Sequence, residues 1–126
     1  MSTGILEPLT QGEEVRAERT RILLTVQERI DEVVDAALAK MCEEIPAYAA
    51  VSPALFADVR HQVDQHYHLK LARLLADDDV SLQDLAFARG AAMRRARAGL
   101  ALEDFINAFR VGQQVFWEAV VEAKSQ

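Results

Sequence analysis

The sequence is poor in residues that cross-link chains or interrupt helices: it has one cysteine, three prolines and five glycines among 126 residues. The single cysteine, Cys42, excludes a disulfide framework and fits a reducing compartment. Scarce proline and glycine, with abundant alanine and leucine, favour helices over a sheet. No apolar run approaches the ~20 residues of a membrane-spanning helix, and the N-terminus lacks a signal-peptide pattern. We therefore expect a cytoplasmic protein that does not insert into a membrane.

Positive charge is also scarce, because 14 lysines and arginines face 20 acidic residues and the net charge is −6. Proteins that bind nucleic acids neutralise phosphates with clustered basic side chains, so we expect no direct nucleic-acid contact by this domain. Gly-rich phosphate loops and the H-E-x-x-H, C-x-x-C and G-x-S-x-G motifs are missing from the sequence. We expect a non-catalytic protein with no metal or cofactor.

Apolar residues recur at helical spacing from Leu23 to Met41, within a first predicted helix of about 34 residues. The segment T-Q-G-E at residues 10–13 has the form of a capping box, which predicts the start of this helix. Pro46 excludes helical geometry at Ile45 and so predicts its end. A straight helix of this length would reach roughly 50 Å. Since that exceeds the width of a compact domain, we expect a kink, a break or a protruding arm.

Three further helices follow. Ser52 as N-cap and Pro53 in the first helical position predict the second helix, which ends at the aspartates of residues 77–79. Ser81 is the predicted cap of a third helix over about 82–98, which Gly99 ends. A fourth spans about 102–123. The pattern predicts an all-α bundle of four main helices with short extra turns, in which residues 1–11 are a flexible N-terminus and residues 12–124 are one domain.

The three histidines, His61, His66 and His68, lie within one predicted helix. No two of them have the i, i+3 or i, i+4 spacing that a helical metal pair requires, so we expect no metal site. His61 and His68 share a polar side of the helix, where we expect them to be solvated. His66 lies beside Val59 and Val63 on the apolar side, where it is either a polar group of a pocket or a core imidazole. A haem ligand is the less favoured alternative.

The fourth predicted helix carries polar residues within or beside its apolar stripe. Gln113 interrupts the stripe, while Arg110 and Trp117 lie at its edge. One interpretation is that Arg110 pairs with an acid from another helix and fixes the packing, because a buried polar group is costly without a partner. The other is that Arg110, Gln113 and Trp117 line a ligand cavity with His66. We expect exposed apolar residues of the first and last helices to form part of a dimer seam, with Leu23, Val26, Phe116 and Val120 as candidates.

A run of arginines marks the third predicted helix: Arg89, Arg94, Arg95 and Arg97. These side chains could form a patch for an anion or an acidic partner. We favour the alternative that they pair within the chain with the acid-rich first helix, because the third helix has no acid after Asp84.

Two segments resemble a known family. They are "EEIPAYAAVSPALFADVR" and "LAFARGAAMRRARAGLALEDFINAFRVGQQVFWEAV", in which Arg110 and Gly112 match an R-x-G pair. Over about residues 12–124, the chain is similar to the N-terminal regulatory domain of PucR-like (CdaR-type) transcriptional regulators. The same domain type occurs at the N-terminus of stressosome co-antagonist proteins of the RsbR class. The resemblance implies a globin-like helical bundle that is commonly dimeric and generally lacks haem.

The resemblance leads to a functional expectation. We expect the sensory and dimerisation domain of a bacterial transcriptional regulator, which relays a signal by helix repacking to a C-terminal output domain absent from this chain. One alternative is a stressosome-type scaffold whose partner is another protein. A second, less favoured alternative is a haem sensor that uses His66.

Overall fold

The computed structural model describes residues 10–78 and 82–126, with side chains from residue 86 onward in the second segment. All the regular structure in this part of the chain is helical, which confirms the predicted all-α class. The six helices are α1 (Gln11–Glu28), α2 (Ile30–Glu44), α3 (Pro46–Ala49), α4 (Pro53–Ala76), α5 (Leu82–Arg97) and α6 (Leu102–Lys124). The predicted flexible segment 1–11 lies outside the described residues, apart from Thr10 and Gln11.

The long first helix of the prediction is broken at Arg29, which separates α1 from α2. Arg29 has φ −109° and ψ 17°, and its backbone N–H donates to the Val26 carbonyl at 3.0 Å. The break turns one long rod into two helices that both pack against α4 and α6. The expectation of an interruption is thus confirmed, and it takes the form of a break.

Local capping explains where the other helices begin and end. The Thr10 hydroxyl accepts from the Glu13 N–H at 3.1 Å, and the Ser52 hydroxyl accepts from the Leu55 N–H at 3.2 Å. Ile45 is extended before Pro46, as predicted, and α3 is a short extra turn. Asp77 ends α4 with φ 58°, and Gly99 follows α5 with φ 90°, where an L side chain is disfavoured. The predicted cap Ser81 lies outside the described residues.

The core forms where α1 and α2 pack on α4 and α6, while α5 contacts α6. Leu23 and Val26 from α1 and Phe116 from α6 are only 4%, 2% and 0% exposed, and Val120 is partly buried against the same core. The expectation of exposure is therefore wrong for Leu23, Val26 and Phe116, and the dimer seam itself stays a prediction. Because α1 and α6 are neighbours within one chain, their apolar stripes cover each other.

Candidate functional site

A small cavity of about 50 Å³ lies among α2, α4, α5 and α6, beside the α3 turn. Its apolar wall includes Met41, Val63, Phe87, Phe105, Ala108 and Phe109. Its polar wall consists of Tyr48, Gln62, His66, Tyr67, Arg95 and Gln113. The polar groups come from four different elements, so the fold gathers side chains that are distant in sequence. Such an apolar cavity with a few convergent polar groups is the usual form of a small-molecule site.

Two of the four predicted pocket residues line this cavity, and two do not. His66 and Gln113 are in its wall, and the His66 ring lies 5.4 Å from the Phe109 ring, centre to centre. Arg110 is exposed on α6. Trp117 is 44% exposed and borders a separate open groove between α1, α4 and α6. The four residues therefore do not form one site, because α6 turns Arg110 and Trp117 away from the cavity.

The other two histidines are on the surface. His61 is exposed, and His68 places Nε2 3.4 Å from an Asp64 carboxylate oxygen on the same helix. Within the described residues, no group of three histidine, cysteine or acidic side chains could hold a metal ion.

The buried charge of the site is Arg95, which is 1% exposed. Its Nη1 donates to Asp58 Oδ2 at 2.6 Å, and its Nη2 donates to the Gln62 side-chain oxygen. The hydrogen bond from Arg95 lowers the pKa of Asp58. Arg94 lies 3.6 Å from the same Asp58 oxygen, so two guanidinium groups share one carboxylate.

This cluster corrects two expectations about arginine. For Arg94 and Arg95, the expected pairing with the first helix is wrong, because their partner Asp58 belongs to α4. The interpretation of Arg110 as the arginine that pairs between helices is also wrong. Arg110 is exposed, and the buried contact between helices is made by Arg95 from α5.

Gly112 is a point where α6 lies close to the helices behind the cavity. A Cβ atom added to Gly112 would lie 3.3 Å from Met41 Cε and 3.8 Å from the Tyr67 hydroxyl. That hydroxyl donates to the Gly112 carbonyl at 2.6 Å, and burial raises the pKa of Tyr67. The glycine of the R-x-G pair therefore has a packing role here: it lets α2 and α4 reach the backbone of α6.

Lys70 of α4 binds the side chain of Gln113. Its ammonium donates to the Gln113 side-chain oxygen and lies 5.0 and 4.9 Å from the ring centres of Phe116 and Trp117. Burial lowers the pKa of Lys70. A cation over aromatic faces is attracted by the ring quadrupole, so this contact fixes the Gln113 amide in the wall of the cavity.

The size of the cavity limits its chemistry. Pockets for drug-sized ligands occupy roughly 300–1,000 Å³, far more than the 50 Å³ present here. A haem bound through His66 would therefore require α4, α5 and α6 to separate. No described helix combines the length and the apolar character that crossing a bilayer demands.

The fold and the cavity together define a small all-α domain that resembles a binding module. Comparison with known families then gives a specific assignment. Residues 31–126, more than half of the chain, match the family described as the RsbT co-antagonist protein rsbRD N-terminal domain. The chain belongs to this family, which confirms the RsbR-type part of the resemblance. No curated protein and no solved structure matches the chain, so the globin-like and PucR-like parts stay predictions.

Proposed function

We propose that this chain is a non-catalytic regulatory domain of the RsbR type that forms a homodimer and binds another protein in the cytoplasm. Family membership carries the proposal, because the family is described by co-antagonists of RsbT, which are regulators defined by a protein target. The acidic composition also favours a protein partner over a nucleic acid.

The surface of α6 supports a dimer. Its exposed large apolar side chains are Leu102, Ile106, Phe109, Trp117 and Val121, with exposures from 40% for Phe109 to 65% for Val121. Their successive spacings of four, three, eight and four residues place them along one side of the helix. Large apolar side chains exposed along one side of a helix mark a candidate interaction site on a soluble protein, and here the exposed Arg110 lies among them. Two copies of this stripe would cover each other in a two-fold dimer, in which each copy offers the same surface.

The role in transcription remains the second candidate and rests on the resemblance of "LEDFINAFRVG" to the PucR-like group. Both candidates relay a signal by a change in helix packing that biases two states of a dimer. The output domain distinguishes them. A downstream helix-turn-helix in the parent gene favours transcriptional regulation, and a domain like the sulfate-transporter and anti-sigma-factor antagonists favours the stressosome type.

Light scattering tests the dimer directly. We expect a dimer mass for the native chain at high micromolar concentration, and a monomer mass for the Ile106→Glu/Val121→Glu double variant, which places charges in the α6 stripe. The matched control is Leu24→Glu on α1. Leu24 is an apolar residue that is 44% exposed, close to the 49% of Ile106, but it lies outside the stripe. A native monomer would remove the dimer claim, and an unchanged mass in the double variant would move the interface away from α6.

A further inference from the structure

The cavity wall carries a positive charge that the cavity itself does not balance. Among the described residues that line it, Arg95 is the one permanent charge and none is acidic. Its partner Asp58 lies outside the wall and is shared with Arg94. The pKa of Tyr48 is raised by burial first and by Asp104 to a smaller extent, and Asp104 also lies outside the wall. From this geometry, we propose that the cavity binds a short-chain monocarboxylate, with its carboxylate towards Arg95.

Hydrogen bonding within the wall favours an acceptor as ligand. The Gln62 side-chain oxygen already accepts from Arg95, and the Gln113 side-chain oxygen already accepts from Lys70. A cation therefore orients each amide. The NH₂ group of each amide is then the part that can donate to a ligand. Tyr67 uses its proton on the Gly112 carbonyl. A wall of N–H donors around a guanidinium matches a carboxylate, because hydrogen bonds between charged partners are the strongest.

The remaining wall sets the size and the polarity of the ligand body. A water requires about 10–15 Å³ of such space, so 50 Å³ corresponds to roughly three to five water-sized atoms. Phe87, Phe105 and Ala108 give this space an apolar lining. Acetate and propionate have this size, whereas benzoate exceeds it.

Phe109 lies between the cavity and the solvent. It is 40% exposed and also lines the cavity, in contact with the His66 ring. Rotation of this one side chain would open a path from solvent, and exposed side chains change rotamer within nanoseconds. Phe109 is also part of the α6 stripe, so an occupied cavity would act on the proposed dimer surface. That coupling depends on the proposed function, whereas binding itself does not.

Titration by nuclear magnetic resonance tests the inference on the ¹⁵N-labelled chain. We expect sodium propionate to shift the Arg95 Nε–H and the Gln62 and Gln113 NH₂ resonances in a saturable manner at millimolar concentration. The matched ligand is propionamide, which has the same shape but no charge, and we expect it to bind at least tenfold more weakly. Sodium chloride at equal ionic strength should leave these resonances unchanged.

Two variants separate the anchor from general charge. The Arg95→Met/Asp58→Leu variant removes the buried charge together with its partner, and it should abolish the preference for propionate over propionamide. Arg94→Met is the control, because Arg94 also contacts Asp58 but does not line the cavity, and it should retain the preference. Absence of saturable shifts up to 50 mM propionate, equal binding of propionamide, or a preserved preference in the double variant would each overturn the inference. None of these results bears on the dimer, which light scattering measures separately.

Discussion

Tyr67 in the middle of α4 donates a 2.6 Å hydrogen bond to the backbone carbonyl of Gly112 in the middle of α6. Tyr67 is 1% exposed, so the bond is shielded from water. It joins residues that are 45 positions apart and fixes how far α4 and α6 are shifted along each other. The cavity lies beside this bond, since both residues line it.

Removal of that hydroxyl tests how much the bond stabilises the fold. We expect Tyr67→Phe to lower the free energy of unfolding by about 0.5–1.5 kcal/mol, the net value of a typical hydrogen bond. The ring remains against Phe116, whose centre lies 5.3 Å away, so packing is kept. Urea unfolding followed by circular dichroism gives the difference. No loss for Tyr67→Phe, beside a large loss for Tyr67→Leu, would mean that the ring, and not the hydroxyl, carries the effect.

Substitutions at Gly112 measure the closeness of α6 and α2. Alanine should change the unfolding free energy little, because about 1 kcal/mol of gained helix propensity opposes the new contact. That contact is with Met41 Cε at 3.3 Å, the flexible end of a side chain that can move. The larger side chain of Gly112→Leu cannot be accommodated by that movement, so overpacking should lower the free energy of unfolding by about 1–3 kcal/mol. If Gly112→Leu is as stable as Gly112→Ala in the same urea experiment, the approach is looser than described.

The Arg95–Asp58 pair should show strong coupling in a double-mutant cycle. Asp58→Leu leaves a buried guanidinium without its carboxylate, and we expect a loss of about 1.5–3 kcal/mol. This is below the roughly 3–5 kcal/mol for a fully buried pair, because the Asp58 side chain is 40% exposed to water. Arg95→Met/Asp58→Leu should be more stable than Asp58→Leu alone, since no charge is then left unpaired. Additive single effects, measured by thermal and urea unfolding, would show that the pair does not stabilise the fold.

Arg95 also shows where sequence reasoning reached its limit. Helical spacing and capping residues predicted the helix class and most of the helix ends, because these depend on neighbours within a few residues. The choice between Arg95 and Arg110 as the buried arginine depends on which faces meet, and that is set by packing between distant segments. A signal was present in the sequence: Arg95 follows Ala88 and Ala91 at seven and four residues, on the same side of the helix.

The burial of Leu23, Val26 and Phe116 was missed for the same physical reason. An apolar stripe on a helix predicts that these side chains are buried. The pattern does not show whether a helix of the same chain or a second copy of the chain buries them. Leu23, Val26 and Phe116 are buried in one hydrophobic core within the chain. The exposed stripe of α6 is rotated away from them, at Ile106, Trp117 and Val121. His66 and Gln113, two of the four pocket candidates, do lie in the cavity wall, and each is polar within an otherwise apolar stripe.

Acid should weaken the fold through Asp58. The hydrogen bond from Arg95 holds the Asp58 pKa below its ordinary value, so the unfolded chain binds more protons than the folded chain between these two pKa values. The stabilisation is fully present above the unfolded pKa of about 3.9 and is lost as the pH falls through the folded pKa. We expect Asp58→Asn to flatten the rise of unfolding free energy with pH in this acidic range.

Glu18 is the control, because Arg21 lowers its pKa through a 2.6 Å contact on the exposed surface. In 1 M salt, where the screening length is about 3 Å, the effect of Glu18→Gln should vanish. The effect of Asp58→Asn should persist in the same salt, since Arg95 is buried. Equal salt sensitivity of the two variants in urea titrations from pH 2 to pH 6 would contradict a buried role for the pair.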